Sequence, residues 1–207
     1  MGRDQVNRGG TGFNRREFLK GSGAAVVAGA AATAAVEGPL AAQQPSTKII
    51  SAGPHTITLH VNGADQQVTV EPRVLLIDAL RNDLNLTGCK DVCDRSTCGA
   101  CTVLIDDKPV YACTRFAIEV VGQKIVTAES MHSLEKTDDV VTAFCKYDAI
   151  QCGFCTPGFV MAVRGFCDQN PGATEEACRR GLGGNICRCG TYDGVLKAAY
   201  DTAQIAQ

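Results

Sequence analysis

Tryptophan is absent from this 207-residue chain, and Phe and Tyr bring aromatic content to only 5%. A core built from such a sequence has to be mainly aliphatic, because the large rings that supply most buried area elsewhere are scarce. Histidine is also rare. The three present, His55, His60 and His132, lie outside the cysteine clusters. That counts against Rieske-type ligation, which places two His on one iron, and against mixed Cys/His zinc sites. His55 and His60 are expected on strands and His132 on a linker, each structural or facing solvent. No excess of one charge exists either. A net charge of -2 argues against nucleic acid as a partner. The sequence shows no nucleophile–base constellation, phosphate loop or substrate-pocket signature. No catalytic residue is assigned, and any chemistry on a substrate is expected in another chain.

Cysteine is what the chain has in plenty. Eight of its twelve cysteines fall into two spacings, Cys93-x4-Cys98-x2-Cys101-x11-Cys113 and Cys152-x2-Cys155-x31-Cys187-x-Cys189. The first is the plant-type order, in which four thiolates hold one [2Fe–2S] cluster. Two clusters in a small chain suggest a short wire for single electrons. Cys152-x2-Cys155 alone would equally suit zinc, but the whole pattern favours iron. Cys145, Cys167 and Cys178 fall within expected helices and read as small buried apolar residues. Disulfides among these three and Cys89 are the alternative.

The N-terminal segment is read as a targeting signal. Asn14-Arg15-Arg16-Glu17-Phe18-Leu19-Lys20 closely resembles the twin-arginine export motif, with Asn14 where Ser or Thr is usual. A weakly apolar, Ala- and Gly-rich stretch follows from Gly21 to Val36, and Ala41-Ala42 offers a cleavage region. The apolar stretch is shorter than the ~18–20 residues that a spanning helix needs, so no membrane span is expected. The assignment is signal peptide over 1–42, linker over 43–53, and a periplasmic location. A Cys-rich exported chain would ordinarily be read as disulfide-bonded. The twin-arginine route, however, carries cargo folded around its cofactor, so clusters loaded before export would occupy the thiolates.

Residues 54–128 read as a β-rich domain. His55 to Val61 alternates, with Ile57, Leu59 and Val61 on one face. Asn62-Gly63 signals a hairpin turn, and Gln67 to Val70 forms the return strand. A short amphipathic helix is expected between Val74 and Leu84. A tight ligand loop follows from Gly88 to Cys101, with backbone N–H groups turned toward the sulfurs. Strand Thr102–Ile105, a turn at Asp106-Asp107-Lys108, and a return from Val110 bring Cys113 back to the loop. Ile125 to Thr127 closes the sheet. Cys98-Gly99-Ala100-Cys101-Thr102-Val103, with Cys93 ahead and Cys113 behind, resembles plant-type ferredoxin domains of β-grasp fold. More narrowly it resembles the iron–sulfur subunit of the xanthine oxidase family of molybdenum hydroxylases. Ser96 stands where that family usually has Gly. Cys89 breaks the spacing and is not assigned as a ligand.

Residues 129–207 read as helical. Val140, Val141 and Phe144 have helical spacing, with Thr137 or Asp138 as cap. Thr156-Pro157 reads as N-cap plus N1 proline of a helix running to about Asp168, stopped by Asn170-Pro171-Gly172. Thr174 caps a helix from Glu175 to Leu182, and Thr191 is expected to cap the last helix, with Val195, Leu196 and Ala199 inward. Both ligand loops then sit at helix N-termini, where negative charge is favoured. Gln151-Cys152-Gly153-Phe154-Cys155-Thr156-Pro157-Gly158 together with Gly184-Asn185-Ile186-Cys187-Arg188-Cys189 resembles the four-helix [2Fe–2S] domain of the same subunit. Gly190-Thr191-Tyr192 replaces that family's usual Thr-Gly-Tyr.

The resemblance, which is nearest to the periplasmic aldehyde oxidoreductase branch, implies an α+β chain: a β-grasp ferredoxin domain followed by an all-α four-helix domain. It implies a large molybdopterin-binding partner subunit, and a further acceptor that is an FAD-binding or cytochrome (haem) subunit. Electrons would run from molybdenum to Cys152/Cys155/Cys187/Cys189 and then to Cys93/Cys98/Cys101/Cys113. By motif, Cys189 would touch the pterin through its sulfur. Arg188, between two ligands, either tunes a cluster potential, meets a partner, or is solvated. A free-standing two-cluster carrier is the competing reading, although a simple ferredoxin needs only the first domain.

Overall fold

The computed structural model describes residues 50–133 and 136–205. The segment read as an export signal with its cleavage region, and most of the expected linker, lie outside the described residues. Residues 50–207 form one compact unit.

The first half is a five-stranded mixed sheet. Strand β1 (His55–Val61) and strand β2 (Ala64–Val70) form an antiparallel hairpin in register from His55 opposite Val70 to Val61 opposite Ala64. Asn62 and Gly63 both take positive φ, 52° and 80°, as a two-residue hairpin turn requires. The alternation in β1 works as expected, with Ile57, Leu59 and Val61 buried. The expected helix after Pro72 is present in altered form. A single α-turn, α1 (Leu76–Asp78), runs directly into a π-helical turn over Ala79–Asp83. The α-turn buries Leu76 and Ile77, and the wider turn buries Ala79 and Leu80.

Strand β3 (Thr102–Ile105) pairs antiparallel with β4 (Lys108–Tyr111), and β5 (Lys124–Val126) pairs with β3 and, in parallel, with β1. The order is β2-β1-β5-β3-β4. The last strand therefore does not close an edge but fills the middle of the sheet and joins its two hairpins. All four β3 residues are buried, because the strand is covered on both faces. Val103 and Ile105 belong to the aliphatic core with Leu59, Leu76 and Leu80. Leu104 faces the other way, toward Gly165 of the helical half.

The second half has four helices: α2 (Asp139–Lys146), α3 (Thr156–Gln169), α4 (Glu175–Gly181) and α5 (Tyr192–Ile205). Asp138 caps α2 by accepting from the Val140 amide at 2.9 Å, and Thr174 caps α4 by accepting from Ala177. Helix α5 packs on α2, α3 and α4, while α3 lies against β3 and β4. The core here includes two fully buried rings, Phe144 and Phe159. The aliphatic expectation thus holds in both halves, with these two rings added to a largely Val and Ala core in the helical half.

The halves meet most tightly at Gly158, early in α3. A Cβ there would sit 2.5 Å from the Gly99 carbonyl oxygen and 2.9 Å from the Ala100 Cα. Both obstacles are backbone, so neither can swing aside. Gly158→Ala should therefore destabilise the protein by about 1–3 kcal/mol, the usual cost of overpacking. Thermal denaturation reads this as a lowered midpoint, and an unchanged midpoint would mean the contact is slack.

Candidate iron–sulfur centres

The first ligand loop turns its amides inward. Asp94, Ser96 and Gly99 all take positive φ, at 54°, 53° and 69°. Backbone N–H groups of Arg95 and Thr97 reach Cys93, and hold its thiol down at about 7. The Ser96 amide donates to Cys113 Sγ at 3.4 Å. Cys113 itself lies just beyond β4, in a 3₁₀ turn over Ala112–Thr114, and not at the strand end. Burial raises Cys98, and pushes Cys101 up to about 12.

The thiols associate in pairs, Cys93 with Cys98 and Cys101 with Cys113. The second set does the same, Cys152 with Cys189 and Cys155 with Cys187. Among the described residues no three metal-ligating side chains converge on one point. Two pairs per site are the donor set a two-iron cluster requires, since each iron takes two thiolates. A mononuclear zinc site would draw all four to a single centre. The residues present fit the [2Fe–2S] group at both places.

In the second site, α3 starts directly after a ligand. Its N-cap is Cys155 and not Thr156, which is already helical, with Pro157 in the first turn. Burial pushes Cys155 up to about 12. For Cys187 burial also raises the thiol, but the Thr191 hydroxyl and backbone N–H groups outweigh it and bring it to about 7. Thr191 stands immediately before α5, where the sequence predicts a cap. Its hydroxyl donates to Cys187 Sγ at 3.2 Å. The Cys187 amide donates to the Tyr192 hydroxyl at 2.8 Å, and the Tyr192 ring stands edge-on to Phe159.

Each site has an outward and an inward pair. Cys152 and Cys189 are exposed, whereas Cys187 is buried and Cys155 half-buried. Cys101 and Cys113 are buried, with Cys93 and Cys98 half-buried. Large apolar side chains flank the exposed pair in sequence: Phe154 at 53% exposure, Ile186 at 49%, and Tyr192 and Ile150 at about 40%. Between the sites runs a direct link. The Ile186 amide donates to the Cys98 carbonyl at 2.9 Å, which joins a residue adjacent to Cys187 to a cysteine of the other set.

The remaining cysteines are unpaired thiols. Cys167 and Cys178 are fully buried as expected, but Cys145 is exposed on the outer side of α2. Cys89 is buried, and its thiol donates to the Cys101 carbonyl at 3.4 Å. Arg188 is exposed. His60 contacts Asp65 and His132 contacts Thr137, both at the surface.

Comparison with known proteins agrees with this geometry. Residues 59–123 match the 2Fe-2S iron-sulfur cluster binding domain family, and residues 127–200 the [2Fe-2S] binding domain family. The chain is 39% identical over 146 residues to the 6-hydroxypseudooxynicotine dehydrogenase complex subunit beta of Paenarthrobacter nicotinovorans, covering 70% of this chain and 91% of that protein. It is 34% identical over 208 residues to the aldehyde oxidoreductase iron-sulfur-binding subunit PaoA of Escherichia coli O157:H7, covering 92% and 88%. The chain belongs to the iron–sulfur subunits of the molybdenum hydroxylases. Among solved structures, quinoline 2-oxidoreductase from Pseudomonas putida 86 superposes with a TM-score of 0.70 at 36% identity, covering 74% of this chain and 96% of that one. The aldehyde oxidoreductase of Desulfovibrio desulfuricans superposes with a TM-score of 0.69 at 37% identity, but the chain spans only 17% of that longer protein. The α+β arrangement of this iron–sulfur subunit is two [2Fe–2S] domains in series, a mixed sheet and then helices.

Both ligand loops can be probed by single substitutions. Ser96 occupies a left-handed conformation that a side chain tolerates poorly, so Ser96→Gly should stabilise the protein by about 1 kcal/mol. Chemical denaturation measures this, and a destabilised variant would mean the serine side chain contributes more than its strain costs. Thr191→Val removes the hydroxyl donor to Cys187 Sγ. Because hydrogen bonds to sulfur set cluster potentials, one cluster should become harder to reduce in a redox titration followed by EPR, while Thr191→Ser should not shift.

Proposed function

We propose that this chain is the electron relay of a periplasmic molybdenum hydroxylase that oxidises an aldehyde to a carboxylate. Its role as an electron-transfer subunit is common to the relatives, which are iron–sulfur subunits of aldehyde, nicotinate and xanthine oxidoreductases. Cys93, Cys98, Cys101 and Cys113 would hold one [2Fe–2S] cluster, and Cys152, Cys155, Cys187 and Cys189 the other. When bound, each cluster takes up and releases one electron at a time.

The observation that carries the reading is the bridge from Ile186 to Cys98 between two sets of paired thiols. Its geometry gives the chain a direction. The exposed Cys152/Cys189 pair, flanked by Phe154, Ile186 and Tyr192, forms the entrance. An exposed apolar surface around a redox centre is the expected docking face for a large molybdopterin-binding subunit, and the exposure of Cys189 supports its reading as the residue whose sulfur meets the pterin. The more deeply set Cys155/Cys187 pair lies behind it. From Cys187 the backbone continues to the Ile186 amide and across a single hydrogen bond to Cys98. The plant-type site is then the exit, toward an FAD-binding or cytochrome subunit. Thr191 and the loop amides act here by stabilising negative charge on sulfur, so that the thiolates stay ionised with metal bound.

The hairpins joined by a central parallel strand, with α1 across them, suit a β-grasp domain, and α2 to α5 suit the four-helix domain. Export by the twin-arginine route rests on residues 14–20.

Purification of the full chain from its native cells should bring down a large molybdenum-containing subunit, with iron and two distinct EPR signals on reduction. Cys152→Ser or Cys187→Ser should remove one of those signals and abolish turnover with acceptors that draw electrons through this chain. A single signal in the wild type, zinc in place of iron, or unchanged turnover in the variants would overturn the assignment.

A further inference from the structure

Asn185 belongs to the second ligand loop, two residues before Cys187, yet its side chain serves the first. It is buried at 6% exposure. Its Nδ2 donates to the Gly99 carbonyl at 2.8 Å and to the Thr102 hydroxyl at 3.3 Å. Thr102 in turn donates to the same Gly99 carbonyl at 2.6 Å. Gly99 is inside the first ligand loop, between Cys98 and Cys101. The fit is close, because a Cβ on Gly99 would come within 2.6 Å of Asn185 Cγ and 2.8 Å of the Gly184 carbonyl.

The neighbours of Asn185 point the same way. The Tyr111 hydroxyl donates to the Gly184 carbonyl at 3.0 Å, and the Ile186 amide to the Cys98 carbonyl at 2.9 Å. Three consecutive residues of the helical half are thus tied to the sheet half. Of these ties only that of Asn185 is made by a side chain of the second ligand loop. A carboxamide suits this place, because it brings N–H donors to an acceptor-only carbonyl and to a hydroxyl. A carboxylate of the same shape brings no donor and sets negative charge against the carbonyl.

We propose that Asn185 is a positioning residue for electron transfer. Its carboxamide locks Gly99 against the Asn185-Ile186-Cys187 turn, and so keeps the Ile186 amide on the Cys98 carbonyl and the two ligand sets at one fixed separation and orientation. It touches neither iron nor sulfur in this role and acts through Gly99 and Ile186. The proposal rests on the relay reading above.

The test uses the iron-loaded complex of the full chain with its partner subunits. Asn185→Asp, Asn185→Ala, Thr102→Val and Thr102→Ser are compared with wild type. Three quantities are read: iron content, the EPR splitting that arises when both reduced clusters interact magnetically, and the rate of electron equilibration between clusters after rapid mixing. Asn185→Asp should keep its iron and both individual signals, lose splitting, and equilibrate about tenfold more slowly, the factor that accompanies loss of one buried hydrogen bond from the locked form. Asn185→Ala should follow it, Thr102→Val should lie between, and Thr102→Ser should match wild type. Wild-type splitting and rate in an iron-replete Asn185→Asp variant would overturn the proposal. Should the Asn185 variants lose iron, Thr102→Val decides against Thr102→Ser: slower equilibration in the valine variant alone supports the lock, and equal rates overturn it. A wild type with only one EPR signal would instead sink the relay reading itself.

Discussion

The structure depends on how one irregular loop disposes of its backbone polar groups. Between Cys93 and Cys101 the chain has no ladder to satisfy its amides and carbonyls, and buried groups of that kind must find partners. The loop separates them by direction. Its amides, at Arg95, Ser96 and Thr97, turn toward the sulfurs of Cys93 and Cys113. Its carbonyls are left facing the other way. The Cys98 carbonyl is met by Ile186, the Gly99 carbonyl by Asn185 and Thr102, the Ala100 carbonyl by Lys90, and the Cys101 carbonyl by Ala112 and Cys89. Two of those partners, Ile186 and Asn185, come from the helical half, and Asn185 also holds a third, Thr102. Contact between the two halves is thus the outer side of the same conformation that prepares the loop for metal.

That arrangement explains why glycine is needed at the seam. Gly99 reaches its left-handed φ without strain, and Gly158 lets the first turn of α3 settle onto the loop carbonyl. It also explains the short β4. The strand stops at Tyr111 so that Cys113 can turn back in a 3₁₀ turn, and the Tyr111 side chain then reaches across to Gly184. Sheet, loop and helix start are held to one another within a few residues of each ligand.

Much of this was legible in the sequence, where local chemistry decides the outcome. The Asn62-Gly63 turn, the β1 alternation, the Asp138 and Thr174 caps and the stop at Asn170 depend on neighbours in the chain, and each stands where the residues put it. The eight motif cysteines were legible for the same reason, as spacing is a local property. What escaped depends on long-range competition. Thr191 reads as a helix cap, and the bond its hydroxyl donates to Cys187 Sγ had no signal in the sequence. The helix after Pro72 widens into a π turn over Ala79–Asp83, which its apolar spacing does not mark. Strand β5 was read as closing the sheet, but its central place was not legible, since nothing in Lys124–Val126 tells which strands will flank it. Cys145 carries a residue type usually buried, yet lies on the outer face of α2. Asn185 gave no signal beyond its place in a ligand motif, because its partner is 86 residues away.

The spacing of the ligands also bears on the order in which the molecule comes together. The first set closes within one loop and one hairpin, so little chain entropy opposes bringing its thiols into place. In the second set, Cys155 cannot meet Cys187 until α3 and α4 have folded back on each other, with α5 packed against both. The first ligand set thus closes over a shorter length of chain than the second, although the sheet around it is itself joined by pairings as distant as His60 with Lys124.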